Sequence, residues 1–408
     1  MMGTTTGVAF VDVSNPSEPE YLGLLPSHNP EGSGNIWRDI KVYKNHAFVV
    51  SEADGHGMQI FDLTQLRSVS SPQTFEETAH YGGFGNAHNI VIDEETGYAY
   101  AVGATEEQYE QVCFGGLLIL DISTPTSPEF ESCFAGGVPE GKSAGEAYPT
   151  DVYVHDAQCV VYEGPDEDYA GREVCITSDG QINEGSADYL GIADVTDKDN
   201  VVQVARTEYE SAGYAHQGWL TEDHAYFLFN DELDELDNGI DTSTYIWDVR
   251  DLDNPTLLGT FKNPRDAIGH NTYTLGDYAY QANYTSGLRI VDVEDVENIE
   301  EVAYFDTYPE DDSDNPEHDH GDHDHDAKRG DAELSTQSCA AGGAQGAETQ
   351  SLRTLHHPEV NPLEEACIAE AAFSGVWSNY PYFDDIVILS DIDRGFFVVK
   401  PEIHDHEH

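Results

Sequence analysis

Four histidines recur at equivalent points of the chain, and together they are the residues most able to do chemistry. His88, His155, His216 and His270 each stand directly before a strand-like run and are followed by Asn, Asp, Gln and Asn. Neutral imidazole is a good ligand for Cu, Zn or Fe. A transition-metal site built from these four side chains is therefore one hypothesis.

Related polar clusters open two further runs of the same kind, Trp37-Arg38-Asp39 and Trp377-Ser378-Asn379. Two other interpretations of all six clusters stay open. The rings could fill a channel and hydrogen-bond one another in a purely structural role. Alternatively, they could form a ligand site at a channel mouth, lined by Trp37, Arg38, Asp39, Asp156, Trp377 and Asn379. An organic or anionic ligand would suit Arg38, because cations are scarce in this chain.

Two other tracts are candidates for weaker metal binding. His318, His320, His323 and His325 alternate with acidic residues, and a similar His-rich tail covers 402–408; such tracts bind metals weakly and flexibly. The acidic stretch 230–238 offers oxygen ligands for Ca²⁺, but it lacks the Asp-x-Asp-x-Asp-Gly loop spacing.

The elements that must position the histidines form a repeat. Between 88 and 134, four short strand-like runs are separated by turn residues, and similar units start near 37, 87, 154, 215, 269 and 375. Four antiparallel strands in about 40–50 residues indicate one blade of a β-propeller. Because the first strand of each blade lines the central channel, the four histidines should meet at one mouth.

The ends of the chain carry partial units. Residues 7–26 match only strands three and four, and the segment from 375 supplies strands one to three. These features predict one all-β propeller domain over 1–401, with seven blades and a truncated first blade; six blades with a hybrid closing blade is the alternative. A weak fourth strand of the second unit is predicted at 74–78. An acidic, His-rich, low-complexity insert is expected at 310–373.

An aspartate ends the third strand of five units, with a turn after it: Asp62, Asp121, Asp194, Asp248 and Asp292. We expect these carboxylates to cap the turns by accepting backbone N–H bonds.

The charge excludes one class of partner. Asp+Glu is 79 against Lys+Arg 17, a net charge of −62, whereas nucleic-acid binding needs a basic surface. A solvated acidic coat predicts a halophilic source, because salt screens the repulsion. The sequence has no run of about 20 apolar residues that could span a membrane, and no signal peptide, which suggests a truncated N-terminus. A monomer is expected.

Six cysteines form three local pairs. Cys113 and Cys133 flank a predicted hairpin, Cys159 and Cys175 lie on neighbouring predicted strands, and Cys339 and Cys367 share the insert. Disulfides in this arrangement would indicate an oxidising compartment; buried free thiols are the alternative.

Longer motifs carry a family resemblance. The third strands, in the forms Ile-Val-Asp-Val and Leu-Asp-Ile-Ser, look like the LVIVD repeat. The stretches 37–59, 155–173 and 216–236 resemble the choice-of-anchor B family of LVIVD-repeat proteins. The resemblance implies a β-propeller that is secreted or held at the cell surface. It supplies no catalytic residues.

Two function classes follow. The first is an extracellular or cell-surface scaffold that binds a protein, glycan or small molecule. The second is a metal-dependent enzyme that uses the histidines. The chain has no Gly-x-Ser-x-Gly, His-Glu-x-x-His or Gly-x-x-x-x-Gly-Lys motif, so the balance leans away from an enzyme.

Overall fold

A computed structural model describes residues 1–34, 36–106, 113–137, 153–180, 187–210, 212–308 and 372–403. The cysteine pair Cys339 and Cys367, the four histidines of the insert and all but the last two residues of the insert lie outside the described residues. Residues 404–408 of the predicted tail lie outside them as well.

The described strands form seven sheets, which are the blades of a propeller. Blade 1 contains β1 (Met2–Thr4), β2 (Gly7–Asp12), β3 (Glu20–Pro26) and β7 (Gln73–Thr74). Blade 2 contains β4 (Arg38–Tyr43), β5 (His46–Ser51), β6 (Met58–Asp62) and β8 (Ala79–Tyr81). Blade 3 contains β9 (Asn89–Asp93), β10 (Tyr98–Val102), β11 (Leu117–Asp121) and β12 (Glu129–Phe134).

The other four blades follow in chain order. Blade 4 contains β13 (Asp156–Val161), β14 (Glu173–Asp179), β15 (Tyr189–Asp194) and β16 (Val202–Glu208). Blade 5 contains β17 (Ala215–Leu220), β18 (Tyr226–Asp231), β19 (Ser243–Asp248) and β20 (Thr256–Lys262). Blade 6 contains β21 (Asn271–Leu275), β22 (Tyr278–Ala282), β23 (Leu288–Asp292) and β24 (Glu300–Phe305). Blade 7 contains β25 (Val376–Phe383), β26 (Ile386–Asp391) and β27 (Gly395–Val399).

Helix is scarce in the described ranges. One α-helix, α1, spans Asp234–Asn238, and two 3₁₀ turns span Leu63–Ser68 and Cys113–Gly115. No helix in these ranges is long and apolar enough to cross a membrane.

The seven-blade prediction is confirmed, because β1–β3 and β25–β27 form separate sheets rather than one hybrid blade. Two details differ from expectation. Blade 1 gains β1, which pairs with β2. The fourth strand predicted at 74–78 is wrong: β8 pairs with β6, whereas Gln73 and Thr74 pair in parallel with β3.

The turn-capping prediction for the third strands is confirmed. Each of the five aspartates accepts a hydrogen bond from the backbone N–H two residues later, at 2.7–3.0 Å. A β-bulge follows the same pattern: it recurs where strand three meets strand four in blades 1, 3, 4, 5 and 6. The sequence repeat is therefore also a repeat of backbone geometry.

The hydrophobic core lies between neighbouring blades. Apolar residues of β5 and β10 pack together and fill the space between blades 2 and 3, and those of β14 and β18 fill the space between blades 4 and 5. Phe227 and Trp247 are fully buried in the second of these clusters. Burying a large apolar side chain contributes about 1.5–3 kcal/mol, so these contacts hold the first strands in a fixed order around the channel.

Both cysteine pairs in the described ranges are disulfides. Cys113 bonds Cys133 with Cα atoms 5.4 Å apart, and Cys159 bonds Cys175 with Cα atoms 4.0 Å apart. These two pairing predictions are confirmed.

Candidate metal centre

The four recurring histidines form one column of rings along consecutive blades, which we call the histidine layer. The ring centroids of His88 and His155 are 4.2 Å apart, those of His155 and His216 4.2 Å, and those of His216 and His270 4.1 Å. Each histidine lies at the start of a first strand, and the first strands of neighbouring blades contact one another. The repeat therefore brings the imidazoles together as the sequence predicts.

Hydrogen bonds to backbone carbonyls fix the tautomer of two rings. His155 Nδ1 donates to the carbonyl of His216 at 2.9 Å, and His270 Nδ1 donates to the carbonyl of Trp377 at 2.5 Å. A carbonyl can only accept, so Nδ1 carries the hydrogen in both rings. In the neutral ring, Nε2 is then left with its lone pair, and metal-ligating histidines are commonly oriented in this way.

The pKa values favour the neutral form. Burial lowers the pKa of His270 to about 3. Burial and the neighbouring histidines hold the pKa values of His155 and His216 well below the usual range. These three rings are therefore uncharged at neutral pH and are able to bind a metal ion.

A carboxylate faces two of these rings. Glu232 Oε2 lies 3.7 Å from His216 Nε2, and Glu232 Oε1 lies 3.4 Å from His270 Nε2. Tyr284 donates its hydroxyl hydrogen to Glu232 Oε1 at 2.7 Å. One ligand atom from each of His216, Glu232 and His270 falls within 4.8 Å of the other two. We call these three residues the triad.

In the triad, His270 Nε2 lies close to an acceptor rather than to a fixed donor. Because its Nδ1 carries the hydrogen and Glu232 Oε1 already accepts from Tyr284, either a proton on Glu232 or a cation is needed between the two atoms. Burial raises the pKa of Glu232 to about 7, consistent with a poorly stabilised carboxylate. Ligand bonds of about 2.0–2.1 Å in a tetrahedral site place ligand atoms about 3.3 Å apart. The observed 3.4 and 3.7 Å are close to that spacing.

The first histidine of the column has a different partner. His88 Nδ1 lies 2.6 Å from Glu52 Oε1. Burial lowers the pKa of His88, but the charge of Glu52 and this hydrogen bond outweigh it, and the pKa is raised overall. His88 therefore favours the imidazolium form, which separates it chemically from the triad.

The residues predicted for a channel-mouth ligand site do not all face the same part of the molecule. The Trp377 ring lies 5.9 Å from His270 and 6.5 Å from Trp37, which extends the column. Arg38 turns instead to blade 1, where it donates to Thr4 and Ser27, and to His56 at 3.0 Å.

The polar residues that follow these clusters mostly join blades. Asp39 accepts from the backbone of Ile90 in the next blade, and Asn379 donates to the carbonyls of Asn271 and Tyr280. Asp156 lies close enough to His88 for their charges to interact. Asp39 and Asp156 thus belong to the layer next to the histidines.

Sequence reasoning missed Glu52 and Tyr284, and it named Glu232 only as part of the possible Ca²⁺ stretch 230–238, apart from the histidines. A signal was present for the two carboxylates, because both directly follow a second strand. In an antiparallel pair, the end of the second strand lies beside the start of the first: Ser51 pairs with Arg38, and Asp231 pairs with Ala215. A glutamate one residue later is therefore placed next to the histidine layer.

The acidic stretch 230–238 has mainly structural contacts. Asp231 accepts backbone N–H bonds from Gly213, Tyr214, Leu233 and Asp234. Glu235 accepts from the backbone of Ser243, and Asp234 accepts from the Tyr245 hydroxyl. These carboxylates organise the start of α1 and the loop that follows it. A separate surface group, Asp166, Asp251 and Asp253, also lies within ligand distance.

Comparisons with known proteins agree with the repeat. The LVIVD repeat matches residues 5–24, 85–135 and 273–307, which cover parts of blades 1 and 6 and nearly all of blade 3. The comparison with curated proteins gave no match.

Similar solved structures share only distant likeness. A Lactobacillus plantarum protein is 15% identical, with 73% of this chain and 77% of that chain covered and a TM-score of 0.47. The β-propeller domain of Myceliophteria thermophila Cps50 (Swd1) is 12% identical, with 66% and 72% covered and a TM-score of 0.39. A functionally unknown Desulfotomaculum acetoxidans protein is 10% identical, with 72% and 77% covered and a TM-score of 0.45. Likeness at this level carries no argument about the site. On its blades and its repeat, the chain is a seven-bladed β-propeller that carries LVIVD repeats.

Proposed function

We propose that this propeller is a binding protein that holds one divalent transition-metal ion in its channel through His216, Glu232 and His270. The observation that carries the proposal is that His270 Nε2, whose ring has its hydrogen on Nδ1, lies 3.4 Å from an oxygen of the partly buried Glu232. A metal ion would satisfy all three acceptors at once. Two imidazoles and one carboxylate suit Zn, Fe or Cu better than Ca, which prefers oxygen ligands.

The donor set also favours an enzyme as the second candidate. Three protein ligands with a remaining position are typical of catalytic metal sites, whereas structural zinc sites are closed by four. Tyr284 supports the carboxylate from behind, as outer ligands do in such sites. A metal-dependent oxidoreductase or hydrolase is therefore the alternative to a pure binding role.

The metal proposal can be tested by counting bound metal. The full-length, untagged protein would be loaded with Zn²⁺ in about 2–4 M salt, which screens its charge, and dialysed against a weak chelator. Elemental analysis should find one zinc per chain that is lost in Glu232→Gln. The matched control is Glu52→Gln, which alters the other carboxylate of the histidine layer and should keep the zinc.

Both Glu232→Gln and Glu52→Gln retain the His-rich tracts. Zinc bound to those tracts therefore cannot explain a difference in zinc content between the two variants. Equal zinc content in Glu232→Gln and Glu52→Gln would contradict the triad. If that zinc disappeared on replacing His318, His320, His323 and His325 with Gln, the insert would be the binding site.

The proposal extends to the setting of the protein. Two disulfides support an oxidising, extracellular or cell-surface environment. The net charge of −62 supports a halophilic source, where salt screens the acidic surface. Secretion tests the first point, and the salt dependence of folding tests the second.

A further inference from the structure

A second group of residues lies further along the same inner strands. Lys41, Trp219 and Tyr273 each come three residues after Arg38, His216 and His270, about 10 Å further along a strand. They come from blades 2, 5 and 6. Together with Asp39, Asp156 and Tyr382 we call them the lysine layer.

A lysine–aspartate pair provides the charged part of this layer. Lys41 Nζ lies 2.8 and 2.7 Å from the two carboxylate oxygens of Asp39. The Lys41 side chain keeps 30% of its surface exposed, and one of its three N–H donors is not used by Asp39. Although burial lowers the pKa of Lys41, the charges of Asp39, Tyr273 and Asp156 raise it overall. Asp156 of blade 4 and Tyr273 of blade 6 therefore lie close enough to raise the pKa of the Lys41 ammonium of blade 2.

The aromatic part of the layer forms a wall of nearly perpendicular rings. The ring centroids of Trp219 and Tyr273 are 4.8 Å apart. Those of Tyr273 and Tyr382 are 6.3 Å apart, and those of Tyr382 and Tyr380 are 5.3 Å apart. Tyr382 is held by a hydrogen bond from its hydroxyl to the carbonyl of Thr274 at 2.8 Å. Tyr382 is still 37% exposed and Tyr380 49% exposed. Fixed aromatic rings that remain open to solvent are available to a ligand.

The chemistry of the layer selects among ligand classes. Lys41 and Asp39 form an ion pair 2.7 Å apart, so their charges balance each other. A cationic ligand would meet the Lys41 ammonium and an anionic ligand would meet the Asp39 carboxylate, so neither would find an uncompensated partner charge in this pair. A neutral ligand with many hydroxyl groups needs donors, acceptors and an apolar face, and all three are present.

We propose that the lysine layer is a binding site for a neutral sugar, separate from the metal centre. The apolar face of the sugar ring would lie against Trp219 and Tyr382. Its hydroxyl groups would accept from Lys41 and donate to Asp156. The site takes a ligand from the end of the channel where Tyr380 and Tyr382 are exposed.

The test uses the full chain and a defined panel of glucose, galactose, mannose, N-acetylglucosamine and their β-1,4-linked disaccharides. Binding would be measured by saturation-transfer NMR and calorimetry, with and without Zn²⁺. At least one sugar should bind, and Tyr382→Ala and Lys41→Met should each weaken it at least tenfold. The control Tyr21→Ala removes a similarly exposed tyrosine from blade 1 and should leave binding unchanged.

Three outcomes would overturn the proposal. One is the absence of binding by every sugar in the panel. Another is binding that Tyr382→Ala and Tyr21→Ala affect equally, which would place the sugar elsewhere. The third is binding of choline, used as a cationic probe, with no sugar bound. Circular dichroism of each variant separates lost binding from lost folding. Because the panel is also run without metal, failure here is distinct from failure of the triad.

Discussion

Replacing Glu232 with glutamine should stabilise the metal-free protein at neutral pH, although it removes a proposed metal ligand. Burial raises the pKa of Glu232 to about 7, whereas a glutamate in an unfolded chain has a pKa of about 4.3. Between these values the folded state keeps a proton that the unfolded state releases. The free energy of unfolding therefore falls as the pH rises through this window.

The size of the effect follows from the shift. One pKa unit corresponds to about 1.4 kcal/mol, so a shift of roughly two to three units costs the wild type about 3 kcal/mol by pH 7. Glutamine does not titrate and escapes this cost. Its oxygen can still accept from Tyr284, and its amide can donate to His216 Nε2, which the carboxylate faces at 3.7 Å.

Urea denaturation in high salt with chelator would measure the difference between the two proteins. The stability of Glu232→Gln relative to wild type should rise by about 3 kcal/mol from pH 4.5 to pH 7.5. Zinc should then cancel most of this difference, because metal at 100 times its Kd stabilises only the wild type, by about 2.7 kcal/mol. A difference that stays constant with pH, or a variant less stable at pH 7.5, would refute the reasoning.

Three further predictions concern the scaffold. Lys198→Met should cost about 3–5 kcal/mol in urea denaturation, because it leaves buried Glu173 without the ammonium that now lies 2.5 Å away; a loss below about 1 kcal/mol would contradict a buried ion pair. Replacing Cys159 and Cys175 with serine should cost about 3 kcal/mol, since the bond closes a loop with a sequence separation of 16; equal stability of the wild type with and without reductant would argue against it. Lowering NaCl from about 1 M to about 0.01 M lengthens the screening distance from about 3 to 30 Å, so the β-sheet circular dichroism should be lost. A signal that persists would remove the argument for halophily.

Most of the fold was predictable because both the spacing of the apolar residues and the types of the turn residues recur from blade to blade. The third strands and their terminal aspartates recur often enough to indicate a propeller, and the separate sheets of β1–β3 and β25–β27 then decide for seven blades over six. β1 and β7 were missed because they have three and two residues and carry no apolar alternation. The fourth strand of blade 2 is Ala-His-Tyr, which also lacks the pattern. Its pairing is decided by the neighbouring strand rather than by its own residues.

The site was predictable only in part, for a related reason. The four histidines occupy equivalent positions, so the repeat alone brings them together. Glu232 is one of 79 acidic residues and nothing in its type marks it; only the pairing of β17 with β18 places it beside His216. The direction of Arg38 depends on Thr4, Ser27 and His56, which no repeat links to it.

If the histidines only fill the channel in a structural role, that role explains the contacts of Nδ1 but not those of Nε2. Hydrogen bonds from Nδ1 to the next carbonyl would lock neighbouring blades, and His155 and His270 make them. A plug would then need a donor, or an apolar neighbour, for the opposite nitrogen. His270 Nε2 instead lies 3.4 Å from a partly buried carboxylate oxygen that accepts from Tyr284. An arrangement that costs stability without a cation, and is relieved by one, is expected of a binding site. Zinc that stabilises the wild type but not Glu232→Gln therefore separates the two interpretations.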